Sequence, residues 1–176
     1  MRLVILGMGG YGRTIADVAL QTGKYDEIIF LDDTLQVDQV KGKCSEFVNY
    51  IDKNTEFYPA IGNNQKRYQW LLKLDSENAA IATIIHPSSY VSPQAVIGKG
   101  TAILPMAVVN TETVICYGAI INVGAIVDHD CLLGVGVHVS PNAVVKGENV
   151  INAFEKIESG IVVERAKFPI KKTELA

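Results

Sequence analysis

The chain has 176 residues, nearly half of them apolar, and a net charge of −3. This composition supports a sizeable core in one domain or two small ones and argues against disorder, and the charge gives no reason to expect nucleic acid as a partner. The three cysteines, Cys44, Cys116 and Cys131, are odd in number and lack metal-ligand spacing, which fits a cytoplasmic protein without a metal site; no apolar run approaches the ~20 residues of a bilayer span, so no membrane insertion is expected.

Residues 2–6 (RLVIL) read as a first strand rather than a signal peptide, because glycines and a helical pattern follow at once. Ile15, Val18 and Ala19 mark a helix that ends at Gly23. Strands are expected at 28–31, 57–61 and 80–85, with a helix starting at Gly62-Asn63-Asn64 and carrying Tyr68, Leu71, Leu72 and Leu74. The alternation is that of a parallel sheet flanked by helices over residues 1–86.

Gly7, Gly9 and Gly12 satisfy G-x-G-x-x-G between strand and helix, and Asp32 follows about 20 residues on. Such a loop lets the backbone approach phosphates at a helix N-terminus. A domain of about 85 residues holds only half of a double Rossmann unit, so a nucleotide diphosphate fits better than a dinucleotide. The alternatives are a turn that needs glycine for packing only and, for Asp33, a solvated loop carboxylate.

From Val91 to Val163 every sixth residue is Val, Ile or Leu, a period of neither helix nor alternating strand but of the coils of a β-helix. This assigns residues 87–164 to an all-β domain. With these residues inward, the residue two before each is inward as well: Ala95, Thr101, Ala107, Thr113, Ala119, Ala125, Cys131, Val137 and Ala143, nearly all small. The small inward residues give way at Asn149 and Glu155. The residue between faces outward and is apolar at Val96, Ala102, Val108, Val114, Ile120, Ile126, Leu132, Val144, Val150 and Val162. Such a surface calls for a cover, which identical copies would supply.

His138 interrupts the outward row, and His129 lies at a corner. If three hexapeptides make a coil, residues 18 apart stack at the ~4.8 Å strand spacing, and Gly147 lies one coil beyond His129. A carboxylate on one imidazole nitrogen fixes the tautomer and raises basicity, so Asp130 beside His129 suits a general base, provided that the corner bends the two together. The alternative is a solvated histidine. His86, at the domain junction, reads as structural.

These pieces together resemble the sialic-acid O-acetyltransferase-like family of bacterial sugar acyltransferases, and within it the N-acetyltransferases that act on UDP-4-amino-sugars, the bacillosamine type. The marks are the glycine loop, FLDD (30–33), AIGNN (60–64) with Arg67, the hexapeptides holding IIN (120–122) and VDHD (127–130), and HVSPNA (138–143), over residues 1 to about 150. The resemblance implies a Rossmann-like N-terminal domain that binds the nucleotide-sugar, followed by a left-handed parallel β-helix. It implies a homotrimer, with active sites between subunits and acetyl-CoA lying along the β-helix.

His129 would be the general base and Asp130 its supporting acid. Asn122 and His138 would line the acetyl and substrate end, and the Gly147 amide the thioester side. Gly9, Gly10, Gly12, Asp32, Asp33, Asn63 and Asn64 match the nucleotide-binding segments. At Tyr11, where many relatives have His, a contact to the sugar diphosphate is expected to differ.

The basic tail over 165–176, with Arg165, Lys167, Lys171 and Lys172, reads as a cap on the last open β-edge or as a contact to CoA phosphates. The resemblance implies an acetyl-CoA-dependent N-acetyltransferase acting on a UDP-amino-sugar. O-acetylation of a sugar hydroxyl is the neighbouring variant. Since family members continue for further coils beyond Val163, a nucleotide-sugar-binding protein without transfer is the alternative, and an NAD-dependent oxidoreductase ranks last.

Overall fold

The computed structural model describes residues 1–35 and 37–165; Lys167, Lys171 and Lys172 of the expected tail lie outside them. The N-terminal domain is a four-stranded parallel sheet ordered β2-β1-β3-β4, formed by β1 (Arg2–Leu6), β2 (Glu27–Leu31), β3 (Thr55–Pro59) and β4 (Ala80–Ile81). The crossovers that parallel pairing requires are α1 (Gly10–Gln21), after β1, and α2 (Asn64–Ser76), after β3. β1 is paired on both sides and buried, which is why its sequence is a continuous apolar run rather than an alternating one. A 3-10 helix, Cys44–Tyr50, which no sequence period announced, sets Phe47 edge-on against Phe57 and Trp70. β3 is offset from the expected 57–61, because the Ile61 N–H turns back to the Pro59 carbonyl and leaves the ladder.

The strand expected over 80–85 is two strands in two sheets. Ala80–Ile81 pairs with β3, whereas Ile84–Ile85 stacks on Ala102–Ile103. The β-helix therefore begins at Ile84, inside the segment assigned from sequence to the first domain. Both halves of the run are apolar, so only their backbone partners tell them apart.

From Ile84 the chain winds as a left-handed parallel β-helix with three faces. One face stacks Ile84–Ile85, Ala102–Ile103, Ile120–Ile121, His138–Val139 and Lys156–Ile157. The second stacks Tyr90–Val91, Val108–Val109, Ile126–Val127, Val144–Val145 and Val162–Val163. The third stacks Val96–Ile97, Val114–Ile115, Leu132–Leu133 and Val150–Ile151. Partners in the ladders are 18 residues apart, as the six-residue beat implies.

The beat also governs the backbone at the corners. Residues 100, 106, 112, 118, 124, 130, 136, 142, 148, 154 and 160 all have positive φ, and six of them, Asp130 included, are not glycine. Left-handed conformations at non-glycine residues cost on the order of 1–2 kcal/mol each, a cost met here by the core they close. That core holds the expected inward residues Thr101, Ala107, Thr113, Ala119, Ala125, Cys131, Val137 and Ala143, all fully buried. Asn149 stays inside as well, its amide donating to the carbonyls of Lys146 at 2.8 Å and Glu164 at 3.1 Å. Glu155 is exposed.

The N-terminal domain docks on the first face. Ala102 packs with Ile15, Val18 and Ile84, and Ile120 is buried too, so these two members of the outward row are covered by the chain's own first domain rather than by another copy. α2 adds Leu71, whose methyls fill the space left by the missing side chain of Gly118, and Tyr68, edge-on against Tyr117 and Phe154.

Candidate active site

The glycine loop divides into two pairs. A β-carbon on Gly12 would stand 2.0 Å from the Gly7 carbonyl oxygen, and Gly7 has φ +98°, so these two glycines serve the tight packing of α1 on β1. β-Carbons on Gly9 and Gly10 would meet nothing within 4 Å. Those two positions, at the uncapped start of α1, leave open the space a ligand would use.

Asp32 holds this loop from the next strand. Its carboxylate accepts from the Met8 N–H at 2.7 Å, the Thr34 N–H and hydroxyl at 2.8 Å each and the Leu35 N–H at 2.9 Å. Burial pulls its pKa upward, but these four hydrogen bonds outweigh it and bring the pKa down to about 2. Asp33 accepts from the Cys44 N–H at 2.9 Å. Both aspartates, expected to contact the nucleotide, thus brace the rim of a cleft of about 470 Å³ that also involves Leu35, Val40, Lys43 and Glu46.

The 60–64 segment is likewise occupied with the protein itself. Asn63 caps α2, its side-chain oxygen accepting from the Lys66 N–H at 2.9 Å. Asn64, expected on the nucleotide, ties the domains together: its Nδ2 donates to the Phe154 carbonyl at 2.9 Å, and its oxygen accepts from Arg67 at 2.9 Å. Arg67 is fully buried, and among the described residues no carboxylate pairs with it. Its five N–H groups reach the carbonyls of Gly118 (2.9 Å), Gly136 (2.9 Å), Ile61 (3.0 Å) and Gly62 (3.5 Å) and the Asn64 side chain. Gly118 and Gly136 are equivalent corners of successive coils, so one guanidinium sets the nucleotide-loop segment against two rungs of the β-helix. Tyr11, where a contact to the sugar diphosphate was expected to differ, turns its hydroxyl to that of Tyr58 at 2.7 Å.

The second cluster sits at the corner between the second and third faces. Because Asp130 occupies a left-handed position (φ 58°), its side chain bends back, and its Oδ2 lies 2.9 Å from His129 Nδ1. The contact that depended on a bend at the corner is made. A carboxylate on Nδ1 keeps the proton there and leaves the lone pair on Nε2. The His129 carbonyl accepts from the Glu148 N–H at 3.0 Å. One coil on, a β-carbon at Gly147 would stand 2.7 Å from Nε2 and 2.8 Å from Cε1, so the missing side chain is the space the imidazole requires.

On the other side of the ring, Asp128 Oδ2 lies 3.9 Å from Nε2. Asn110, 18 residues earlier, donates to Asp128 Oδ1 at 3.0 Å, and that bond, with the His129 and Gly147 amides and the His129 charge, holds the carboxyl below its ordinary value despite partial desolvation. Cys131, directly beyond the cluster, is buried, and burial pushes its thiol up, as suits a core residue rather than a nucleophile.

Asn122 and His138 form a third group. The Asn122 amide donates to His138 Nε2 at 3.0 Å, which leaves the proton of a neutral ring on Nδ1, a buried atom with no partner among the described residues. Burial first, then the charges of Arg67 and Lys156, lower the His138 pKa to about 4 against the opposing pull of Glu158. His138 is therefore neutral near pH 7 and accepts from Asn122 through Nε2. Within one chain the structure thus unites His129 with Asp130 and Gly147, and Asn122 with His138. The two sets belong to different corners, and the nucleotide loops sit on the docking face with the second set.

Arg67 and Asn110 are the residues whose roles the sequence reading missed. Asn110 was open to discovery, since it stands one coil before Asp128. Among the described residues no group of three or more His, Cys, Asp or Glu is placed to hold a metal ion, and no helix is long and apolar enough to cross a membrane.

Residues 2–74 match the family model described as the PglD N-terminal domain. A curated relative, the UDP-N-acetylbacillosamine N-acetyltransferase of Bacillus subtilis (strain 168), is 32% identical over 108 residues, 57% of this chain. The match spans about half (50%) of that relative's length. Among solved structures, the acetyltransferase domain of PglB from Neisseria gonorrhoeae FA1090 is 36% identical, covering 92% of this chain and 81% of that one, with a TM-score of 0.88. The same domain has been solved in complex with acetyl coenzyme A. PerB from Caulobacter crescentus, in complex with CoA and GDP-perosamine, shares the fold at 23% identity and a TM-score of 0.71, covering 93% of this chain and 92% of that one.

Proposed function

Because this chain belongs to the bacillosamine-type family of sugar N-acetyltransferases, we propose that it transfers acetyl from acetyl-CoA to the 4-amine of a UDP-linked sugar, in the cytoplasm, with His129 as general base. The observation that carries this reading is the His129 corner. Asp130 holds Nδ1–H, and Nε2 lies beside the bare backbone of Gly147. The thioester is placed at the exposed edge of the His129 ring, within reach of Nε2. Acetyl-CoA supplies the activated acetyl group. His129 takes a proton from the acceptor nitrogen as that nitrogen attacks the thioester carbon.

The acceptor is held by the first domain. Gly9 and Gly10 leave the backbone open to the diphosphate, the cleft bounded by Asp32 and Asp33 takes the nucleoside, and Asn122 with the neutral His138 lines the path between. Since the loops and His129 occupy different corners, we place each active site between two subunits of a homotrimer. The uncovered apolar positions on the second and third faces, including Ile126 and Val96, form the contacts.

The test is to incubate the protein with acetyl-CoA and a UDP-4-amino-sugar and to follow thiol release. Turnover that disappears in His129→Ala supports the proposal. Tight binding of the UDP-sugar without turnover would show a binding protein instead.

A further inference from the structure

Asp128 is the group at this corner to which the acetyl-transfer step gives no part. We infer that Asp128 selects an amine over a hydroxyl as acetyl acceptor, by holding the incoming nitrogen as an ammonium ion between its own Oδ2 and Nε2 of His129. The inference rests on the acetyl-transfer reading and specifies which acceptor that site takes.

The geometry suits a nitrogen. Two acceptors 3.9 Å apart can each lie ~2.9 Å from one donor atom, with roughly 85° between the two bonds, within reach of two N–H bonds of a tetrahedral ammonium. A hydroxyl has a single proton. Once that proton points at Nε2, the oxygen turns lone pairs towards an ionised carboxylate, which is repulsive. The Asp128 carboxylate is held in place for this contact, because Asn110 fixes Oδ1 at 3.0 Å and Thr113 donates to the Asp128 carbonyl at 2.6 Å. Asp130 cannot take this part, because its Oδ2 serves Nδ1, on the other edge of the ring.

The proton count closes. The acceptor enters as R–NH3⁺ and must lose two protons to become the amide. One leaves to water before attack, giving the free amine with its lone pair directed at the thioester carbon. The other passes to His129 Nε2 as the C–N bond forms and goes on to the sulfur as the C–S bond breaks. Ammonium and acetyl thioester thus become amide, thiol and one released proton. Asp128 orients and remains ionised throughout.

The experiment compares calorimetric binding of a UDP-4-amino-sugar and its 4-hydroxyl counterpart to wild type, Asp128→Asn and Asn110→Ala. Loss of a charge-assisted hydrogen bond predicts that Asp128→Asn weakens the amine about 10- to 100-fold and leaves the hydroxyl sugar within about three-fold. Asn110→Ala, which keeps the charge but frees the carboxylate, narrows the preference in the same direction by a smaller factor and guards against misreading a folding defect. In wild type, amine binding weakens as the pH rises past the acceptor's own pKa, and in Asp128→Asn this dependence flattens. An amine preference retained in Asp128→Asn, or equal losses for both sugars, overturns the role of Asp128 while acetyl transfer stands. A wild type that binds neither sugar overturns both.

Discussion

His129 stands over Gly147 with no room for a β-carbon between them: that atom would lie 2.7 Å from Nε2. Gly147 is not among the corner positions of positive φ, so alanine there meets no backbone strain and acts only on the space. Gly147→Ala should lower kcat/KM about 100-fold by displacing the imidazole from its line of attack and leave the melting temperature nearly unchanged. Thiol-release kinetics beside a thermal melt check this; an active Gly147→Ala variant would remove His129 from the site.

Arg67 ties the first domain to two successive coils of the β-helix. Arg67→Met leaves buried carbonyl oxygens of Gly118 and Gly136 without donors. A loss of about 3–5 kcal/mol is expected, read as a fall in the denaturant midpoint. Arg67→Lys should rescue little, because a point charge on a flexible stem does not reproduce the planar fork that spans two coils. A loss below about 1 kcal/mol would mean that the apolar contacts alone hold the domains in place.

His138 predicts an acid limb in stability. Its folded pKa of about 4 lies below the ordinary 6.5, so the unfolded chain binds the extra proton between those values. The contribution is complete above pH 6.5 and is lost as the pH falls from there towards 4. Urea midpoints measured across that window should decline in wild type and flatten in His138→Gln. Superimposable curves would assign the limb to another group.

Ile126 is one of the exposed apolar residues of the second face, at 38% of its full accessibility. In the trimer proposed here it is covered, and Ile126→Asp should give a folded monomer by sedimentation that releases no thiol, because its sites are halved. A wild type that sediments as a monomer would refute the arrangement.

Much of this was legible in the chain. The six-residue beat sorted inside from outside, put Gly147 one coil beyond His129 and consigned Cys131 to the core, because a period constrains every residue that shares it. What the beat could not convey was which outward face the first domain would cover, so Ala102 and Ile120 were misassigned. Asp32 and Asn64 carry the residue types of ligand contacts, and their side chains also brace loops and bridge domains. A short polar side chain serves backbone and ligand by the same hydrogen bonds, and type alone does not separate the two. Arg67 was hidden for a related reason: its partners are main-chain carbonyls, which no side-chain pattern advertises.

The uniform left-handed corners give the β-helix domain an address system. Each position is defined by its remainder on division by eighteen, and neighbours in space share it: Asn110 with Asp128, His129 with Gly147, Ile120 with His138. Lengthening or shortening the chain by six residues between Ile84 and His129 would preserve the beat, the core and every corner, yet carry His129 one face around the prism, away from its place relative to the docked domain. Only a change of eighteen returns each group to its column. Inheritance of this site is therefore quantised in whole coils, a stricter rule than the six-residue repeat suggests.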